Sequence, residues 1–216
     1  MPDLSFGVDS AAAVTYAAAP LLAFKLRVTN AAADEPIHTV ALRCQIQIEA
    51  ARRRYDGDDR EGLRDLFGEP EQWSRTVRTM LWTHASVVVP SFTGSRVVDL
   101  PVPCTYDFNV AAAKYFYALE GGEVPLSLLF SGTVFYAADG GALQVAQIPW
   151  DREVAYRLPV RVWREMMDHY YPNSAWISLR RDVFDQLYRY KIRQGLPTWE
   201  GAMERLLAAA GEGVPR

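Results

Sequence analysis

The sequence predicts an α+β protein: a mainly antiparallel β-sandwich or partly open barrel, followed by a C-terminal three-helix segment packed on the sheet. Up to about residue 158, apolar residues mostly alternate with polar ones, which is typical of strands with one solvated face. From residue 159 onward they recur every three or four positions, which is typical of amphipathic helices. We therefore expect an antiparallel β domain over residues 1–158 and a helical segment over residues 159–216, packed on the same core.

The first two predicted strands show the clearest alternation. Their apolar positions are Leu22, Phe24, Leu26 and Val28 in the first strand, and Val40, Leu42, Cys44, Ile46 and Ile48 in the second. The connecting loop, "NAAADEP", is too short for a parallel crossover. We therefore expect the two strands to pair as a long antiparallel hairpin.

Charged residues replace this alternation between residues 50 and 72. The piece "DREGLRDLFG" predicts a short helix with Asp59 as its N-cap and Gly68 just past its end. Its acidic residues do not have the spacing of a calcium loop, because Asp56 at position one puts Glu61 at position six, where glycine is needed. We interpret the segment as a solvated connecting loop.

Strands return over residues 75–158. The pieces "RTVRTMLW", "ASVVVP" and "RVVDLPVPC" belong to a segment punctuated by Pro90, Pro101 and Pro103, which favours sheet edges because proline has no backbone N–H. The run "TYDFNVAAAKYFYAL" alternates as far as Ala111 and then fits a strand or a helix. Asp139 and Gly140 predict a hairpin turn between "VPLSLLFSGTVFY" and "ALQVAQIPW", and "REVAYRLP" supplies the last strand. The number of short strands is too large for one flat sheet in a chain of this size. We therefore expect the strands to form two packed layers.

Three helices are predicted after residue 158. The first begins at Pro159 and ends before Pro172, the second has Ser178 as its N-cap and ends at Gly195, and the third has Thr198 as its N-cap. Each carries an inward apolar stripe; in chain order these are Trp163, Met166, Met167 and Tyr170; Leu179, Val183, Phe184 and Leu187; and Trp199, Met203, Leu206 and Leu207. Three short helices cannot bury all three stripes on one another, so we expect them to lie against the sheet.

The charge balance and the apolar runs limit the classes of function. The chain has 23 basic and 26 acidic side chains, and this net charge of −3 argues against a nucleic-acid binder that works by neutralising phosphates. The longest early apolar run is interrupted by Pro20 and is too short to span a membrane. No basic residue precedes it, so we expect no secretory signal and a cytoplasmic location.

The sequence predicts neither a metal nor another cofactor. Its three histidines are scattered, neither cysteine has a second cysteine at metal-ligand spacing, and the glycine-rich phosphate loops and nucleophile elbows are missing. The separation of Cys44 and Cys104 resembles that of an immunoglobulin disulfide, but a reducing compartment favours two buried thiols instead.

The stretch "WREMMDHYYPNSAW" admits two interpretations. Its aromatic and methionine residues are the core stripe of the first C-terminal helix, or they line an apolar pocket between that helix and the sheet. The candidate pocket residues are Trp163, His169, Asp107 and Glu153. The loop that follows the helix, together with the nearby "IPWD", predicts an exposed partner-binding patch made of Trp150, Tyr171, Asn173 and Trp176.

Five strings, "VPCTYDFNVAAAKYFYAL", "LFSGTVFY", "IPWDRE", "YYPNSAW" and "GLPTWEGAMERLL", resemble a domain family of unknown function. Members of that family are encoded beside the subunits of high-affinity nickel-iron uptake hydrogenases. The resemblance covers about residues 20 to 210 and brings no catalytic or binding residue with it. It implies a cytoplasmic accessory role around a hydrogenase, in assembly, folding or association.

We therefore expect a non-catalytic binding or accessory protein with a protein partner, hydrogenase subunits being the first candidates. A homo-oligomer or a structural subunit of a larger assembly stays open. The alternative is a small-molecule enzyme or ligand carrier that uses the pocket between the sheet and the first C-terminal helix. We expect neither a nucleic-acid partner nor a membrane span.

Overall fold

A computed structural model of the chain describes residues 2–104, 110–137, 141–175 and 177–212. The chain divides into two compact units, Met1–Ser174 and Ala175–Arg216. The strands of the first unit are β1 (Leu4–Ala13), β2 (Leu21–Asn30), β3 (Ile37–Ile48), β4 (Met80–Val89), β5 (Ser95–Pro103), β6 (Glu123–Ala137), β7 (Leu143–Gln147) and β8 (Glu153–Pro159). Its helices are α1 (Gly57–Gly62), α2 (Arg64–Phe67), α3 (Trp73–Thr76), α4 (Val110–Ala118) and α5 (Val160–Tyr170). Short 3₁₀ turns precede α1 and α3.

The strands form two antiparallel sheets that do not close into a barrel, so the predicted α+β class is confirmed. The smaller sheet has the order β1-β2-β5. In the larger sheet β3 lies between β4 and β6, and the far side of β6 pairs with β8 along its first half and with β7 along its second half. Phe6 of β1 stacks on Phe130 of β6 with ring centroids 4.4 Å apart, so inward side chains of the two sheets meet in one core.

The predicted hairpin between β2 and β3 is wrong. Both sides of β2 are occupied by β1 and β5, whereas β3 pairs with β4 and β6. The short connection between β2 and β3 therefore crosses from one sheet to the other. The sequence did not predict β1. Apolar residues alternate only at Leu4, Phe6 and Val8, and the alternation is then lost in a run of alanines.

The charged segment before β4 is more ordered than predicted. Asp56, and not Asp59, is the N-cap of α1, since its Oδ1 accepts a hydrogen bond from the backbone N–H of Asp59 at 2.9 Å. Asp59 lies inside the helix and is buried, so its assignment to a solvated loop was wrong. Gly68 follows α2 with φ of 76°, as expected of a residue that ends a helix. The ambiguous run after residue 109 is the helix α4.

Helix α5 packs on the strands of the first unit, as the core-stripe interpretation predicts. Trp163, Met166 and Met167 are all buried, and Trp163 stacks on Phe116 of α4 with ring centroids 5.3 Å apart. The helix begins at Val160, because Pro159 is its N-cap and not its first residue. Contacts with β1, β2, β8 and α4 place α5 in the first compact unit.

The second unit contains helices α6 (Arg181–Arg193) and α7 (Trp199–Ala209). Thr198 is confirmed as the N-cap of α7, since its Oγ1 accepts a hydrogen bond from the N–H of Gly201 at 3.1 Å. The prediction of Ser178 as the N-cap of α6 is wrong, because Arg180 occupies that position and caps without its side chain. No helix in the part of the chain that the structure describes is long and apolar enough to cross a membrane.

Cys44 and Cys104 are free and buried, which confirms the interpretation as two buried thiols. Burial raises the pKa of each thiol to about 12, because the thiolate cannot be solvated. Both thiols are therefore protonated at neutral pH, and a protonated thiol is a poor nucleophile.

Candidate interaction face around Glu120

Polar side chains and open clefts meet where helix α4 ends and the chain turns into β6. Glu120 lies in this turn and lines four clefts. Tyr117, in the last turn of α4, separates two of them. We call the surface formed by Tyr117, Glu120 and these clefts the Glu120 face. All of its residues belong to the first compact unit.

A buried ion pair between Arg53 and Asp59 holds the turn between α4 and β6 in position. Arg53 Nη2 lies 2.8 Å from Asp59 Oδ2, and the two side chains are only 9% and 2% exposed. Arg53 also donates hydrogen bonds to the carbonyl oxygens of Gly121 and Glu123, at 2.8 and 2.7 Å. Asp59 Oδ1 accepts a hydrogen bond from the N–H of Glu120 at 3.1 Å. The turn is thus held at three places along its backbone, the N–H of Glu120 and the carbonyl oxygens of Gly121 and Glu123.

Arg164 of α5 fixes the end of α4 from the other side. Its guanidinium donates hydrogen bonds to the carbonyl oxygens of Leu119 and Tyr117, and its Nη2 lies 3.7 Å from Glu120 Oε1. These carbonyls carry the negative end of the helix dipole, where a cation is favourable. The backbone of Tyr117 is therefore anchored, while its side chain remains 62% exposed.

The ring of Tyr117 stands between two grooves. The groove on the α5 side has a volume of about 260 Å³; Trp163, Met167 and Tyr171 line it together with polar residues that include Arg164 and Asp168. The groove on the α1 side has a volume of about 340 Å³ and is lined by Leu66, Lys114 and Ala118, among others. An aromatic ridge between two partly apolar grooves can interdigitate with the side chains of another protein.

A wider cleft of about 930 Å³ opens on the β6 side of Glu120. Four arginines and four carboxylates line it; these are Arg52, Arg53, Arg54 and Arg157, with Asp56, Asp59, Glu120 and Glu123. Because the charges balance, the cleft does not select an anion or a cation by net charge. A cleft lined by charges of both signs favours a protein surface with a matching arrangement of charges.

Two tyrosines beneath the face are structural. The hydroxyl groups of Tyr55 and Tyr115 are 2.8 Å apart, and that of Tyr55 donates to the carbonyl oxygen of Ala50 at 2.7 Å. Burial raises the pKa of both phenols, so neither ionises near neutral pH. Among the described residues, no group of three or more His, Cys, Asp or Glu is arranged to hold a metal ion.

The structure brings two of the sequence-predicted site residues together. Trp163 and Tyr171 line the same groove beside Tyr117, and Tyr171 also packs against the core. Asn173 is exposed two residues further on, with a φ of 52°. Asp107 and Trp176 lie outside the described residues.

The other predicted site residues lie elsewhere. His169 is exposed and its Nε2 is 3.0 Å from the carbonyl oxygen of Thr15, in the loop after β1. Glu153 starts β8, is exposed and accepts a hydrogen bond from Ser127 Oγ at 2.6 Å. Trp150 precedes β8 and is 90% exposed. The Glu120 face lies at the opposite end of β8, about 20 Å away along a strand of this length.

The family model for a family of unknown function (DUF6084) matches residues 1–215 of the chain. The protein belongs to this family. No curated protein matches the DUF6084 chain. Among solved structures, it is similar to the crystal structure of the putative ApaA protein from Bordetella pertussis. The identity is 13%, the TM-score is 0.24, and the match covers 73% of this chain and 94% of that one. A TM-score this low supports no conclusion about function.

Sequence reasoning missed the central residues of the face in this DUF6084 protein. Arg53 and Asp59 stand in a charged run that gives no sign of which charges are buried. Tyr117 had a usable signal, because a helical phase puts Ala113, Phe116 and Leu119 on one buried side and Tyr117 on the other. That signal requires the run after residue 109 to be recognised as a helix.

Proposed function

We propose that this DUF6084 protein is a cytoplasmic, non-catalytic accessory protein that binds subunits of a nickel-iron hydrogenase through the Glu120 face. The observation that carries the proposal is Tyr117, a 62% exposed aromatic side chain on an anchored backbone between two grooves. A rigid aromatic side chain loses little conformational entropy on binding, and tyrosine is enriched among the residues that dominate interface energies.

The surroundings of Tyr117 support a protein as the ligand. Arginine and tyrosine are over-represented in interfaces, and Arg164 and Tyr171 both line the groove beside Tyr117. The balanced charges of the wide cleft favour specificity for a patterned surface over bulk attraction. The choice of partner is supported by the resemblance of strings such as "YYPNSAW" to a family encoded beside hydrogenase subunits.

The direct test measures binding of purified hydrogenase large and small subunits to the tagged full-length protein. We expect Tyr117→Ala to weaken binding by about tenfold or more, as for a central interface aromatic. The matched control is Leu143→Ala, because Leu143 is 63% exposed on β7, which pairs with the end of β6 far from the face. Neither change should lower the melting temperature much. Equal binding by wild type and Tyr117→Ala, or no binding at all, would contradict the proposal.

The patch predicted from sequence gives a second set of variants. Tyr171→Ala should weaken binding, as Tyr117→Ala does, since both residues line one groove. Trp150→Ala should leave binding unchanged, because Trp150 lies beyond the far end of β8. If Trp150→Ala abolishes binding while Tyr117→Ala does not, the binding surface is the loop before β8 and not the Glu120 face.

A further inference from the structure

Strand β7 leaves one edge of the larger sheet uncovered. It pairs with β6 on one side, and no described strand pairs with its other side, which we call the open edge. The remaining edge strands of the two sheets are covered, since β1 lies against β8 and β4 lies against β5. β7 also contains neither a proline nor a charged residue that would discourage pairing. An edge of this kind is a template for another strand.

Three residues of β7 direct their backbone groups towards the open edge. In an antiparallel pair, the N–H and C=O groups of successive residues point alternately towards and away from the neighbouring strand. The N–H of Ile148 donates to the carbonyl oxygen of Gly132 at 2.9 Å, so every second residue counted back from Ile148 faces β6. The residues between them face the open edge; these are Leu143, Val145 and Gln147. Their spacing is symmetric about Val145.

The side chain of Val145 ends a row on the outer face of the sheet, opposite to the face of the buried Val134. Val145 lies directly opposite the half-buried Phe135 of β6, and Phe135 lies opposite Thr39 of β3. Val145 and Leu143 are 57% and 63% exposed. The row therefore reaches the open edge with large apolar side chains in water, which is unfavourable.

We infer that the open edge of β7 pairs with the same edge of a second copy of this chain, the two strands running antiparallel about a twofold axis at Val145. Val145 then exchanges two backbone hydrogen bonds with Val145 of the partner subunit. Leu143 exchanges two with the partner's Gln147, and Gln147 exchanges two with the partner's Leu143. The interface is isologous, and the two larger sheets become one continuous sheet.

The symmetry of the edge favours a second copy as the occupant. Because the outward backbone groups are symmetric about Val145, an identical strand satisfies every one of them. The row of side chains continues from Phe135 and Val145 to the partner's Val145 and the partner's Phe135. Apolar pairs of this kind, directly opposite each other on neighbouring strands, stabilise a sheet.

The charges around β7 are compatible with self-pairing. Pairing of two identical strands brings like charges together wherever the strand is charged near its centre, and Leu143–Gln147 has no charged residue. The charged residues on either side, Asp139, Asp151 and Arg152, belong to the connections of β7 with β6 and β8 and lie outside the paired segment. Arg152 is moreover paired with Asp3.

The interface consists of one short strand from each copy. Its area falls at the low end of specific protein–protein interfaces, so we expect a reversible dimer that depends on concentration. The inference is independent of the hydrogenase proposal, because β7 pairs with the second half of β6, whereas the Glu120 face lies where the chain enters the first half.

The test is sedimentation of the full-length 24.3 kDa chain at about 1 to 200 µM, a range that spans a micromolar dissociation constant. Val145→Lys should raise the dissociation constant by about tenfold or more, because it sets two ammonium groups against each other at the axis. Val88→Lys is the matched control and should leave the dissociation constant unchanged, since Val88 is 68% exposed on β4, at the other edge of the same sheet. Both sites are exposed, so neither change should lower the melting temperature much.

Disulfide formation checks the register independently. Val145→Cys should form a disulfide with its own copy under mild oxidation, because the Cα atoms of a hydrogen-bonded antiparallel pair are about 5.5 Å apart. Leu143→Cys should not, since it lies opposite the partner's Gln147 and is four residues, about 14 Å, from the partner's Leu143. The native cysteines are buried and give little background.

Three results would each overturn the inference: a monomer at all concentrations, a dimer equally insensitive to Val145→Lys and Val88→Lys, or a disulfide of Leu143→Cys with itself that forms as efficiently as that of Val145→Cys. Hydrogenase binding by a strictly monomeric chain would overturn this inference and leave the proposed function standing. A dimer that shows the charge effect and the Val145→Cys disulfide but binds no hydrogenase would support this inference and contradict the proposed function.

Discussion

Arg53 and Asp59 form the least exposed ion pair among the described residues, with side chains 9% and 2% exposed. Removing two charges from water costs several kcal/mol, and the cost is recovered only when further hydrogen bonds complete the geometry. Here the backbone carbonyls of Gly121 and Glu123 and the N–H of Glu120 supply those bonds. Arg53 Nε remains buried without a partner among the described residues. The pair therefore sets the position of the turn more than it adds stability.

Asp59→Asn should destabilise the protein by about 3 kcal/mol or more, because it leaves the Arg53 guanidinium buried without a counter-charge. The measurement is urea unfolding at neutral pH. Asp65→Asn is the matched control, since Asp65 pairs with Lys114 but is 74% exposed, and it should cost about 0.5 kcal/mol or less. If both variants unfold at the same urea concentration, the charge of Asp59 does not neutralise Arg53 in the native state.

At the scale of elements, the pairing of β3 with β6 depends on one close backbone approach. Gly132 of β6 lies opposite Leu42 of β3 and has a φ of 147°. A Cβ atom added there would lie 2.1 Å from the carbonyl oxygen of Ala41, which is backbone and cannot move without breaking the ladder. This strand position therefore requires glycine, although the alternating pattern around it would accept any small residue.

Gly132→Ala should lower the free energy of unfolding by about 3 kcal/mol or more, through the steric overlap and the unfavourable φ together. Gly7→Ala in β1 is the matched control, because a Cβ there meets nothing within 4 Å and Gly7 does not have a positive φ. That control should be close to neutral. Chemical unfolding of both variants decides the question, and equal midpoints would show that β3 and β6 can separate slightly at no cost.

Element boundaries also show what the sequence can predict. Thr198 was identified as an N-cap because a threonine directly precedes an apolar helical period. Ser178 has the same sequence appearance, yet α6 begins three residues later behind Arg180. The alternation of apolar and polar residues identified β2 and β3, because one face of each strand is solvated. The same alternation does not indicate which strand pairs with which. For that reason each strand was identified and their predicted pairing was wrong.

At the scale of the whole molecule, the Glu120 face is assembled from three distant segments. The first segment contributes Arg53 and Asp59, the second contributes Tyr117 and Glu120, and the third is α5. These segments meet only because α4 and α5 pack on the same core. Sequence reasoning works within one segment at a time, so it found Trp163 and Tyr171 but not the surface that they share with Tyr117. Composition and the spacing of apolar residues were sufficient to predict the fold class. The site could not be predicted in this way, because it depends on how distant segments pack together.

The division of the chain can be tested by truncation. A chain that ends at Ser174 should unfold cooperatively, since it keeps the whole first unit, whereas a chain that ends at Leu158 should fail to fold. The reason is that α5 contributes Trp163, Met166 and Met167 to the core. Thermal unfolding followed by near-UV circular dichroism distinguishes the two chains. Cooperative unfolding of the shorter chain would support the predicted boundary between residues 158 and 159.

The position of β6 in the larger sheet has a consequence for synthesis of the chain. The strand bonds to β3 on one side and to β7 and β8 on the other, and it is the sixth strand in order. During synthesis β3 and β4 leave the ribosome before β6. We therefore expect the edge of β3 that pairs with β6 to stay unpaired until Glu123–Ala137 has left the exit tunnel. An unpaired strand edge favours misassociation, so we expect slower translation just upstream of that point to prolong the exposure of the edge.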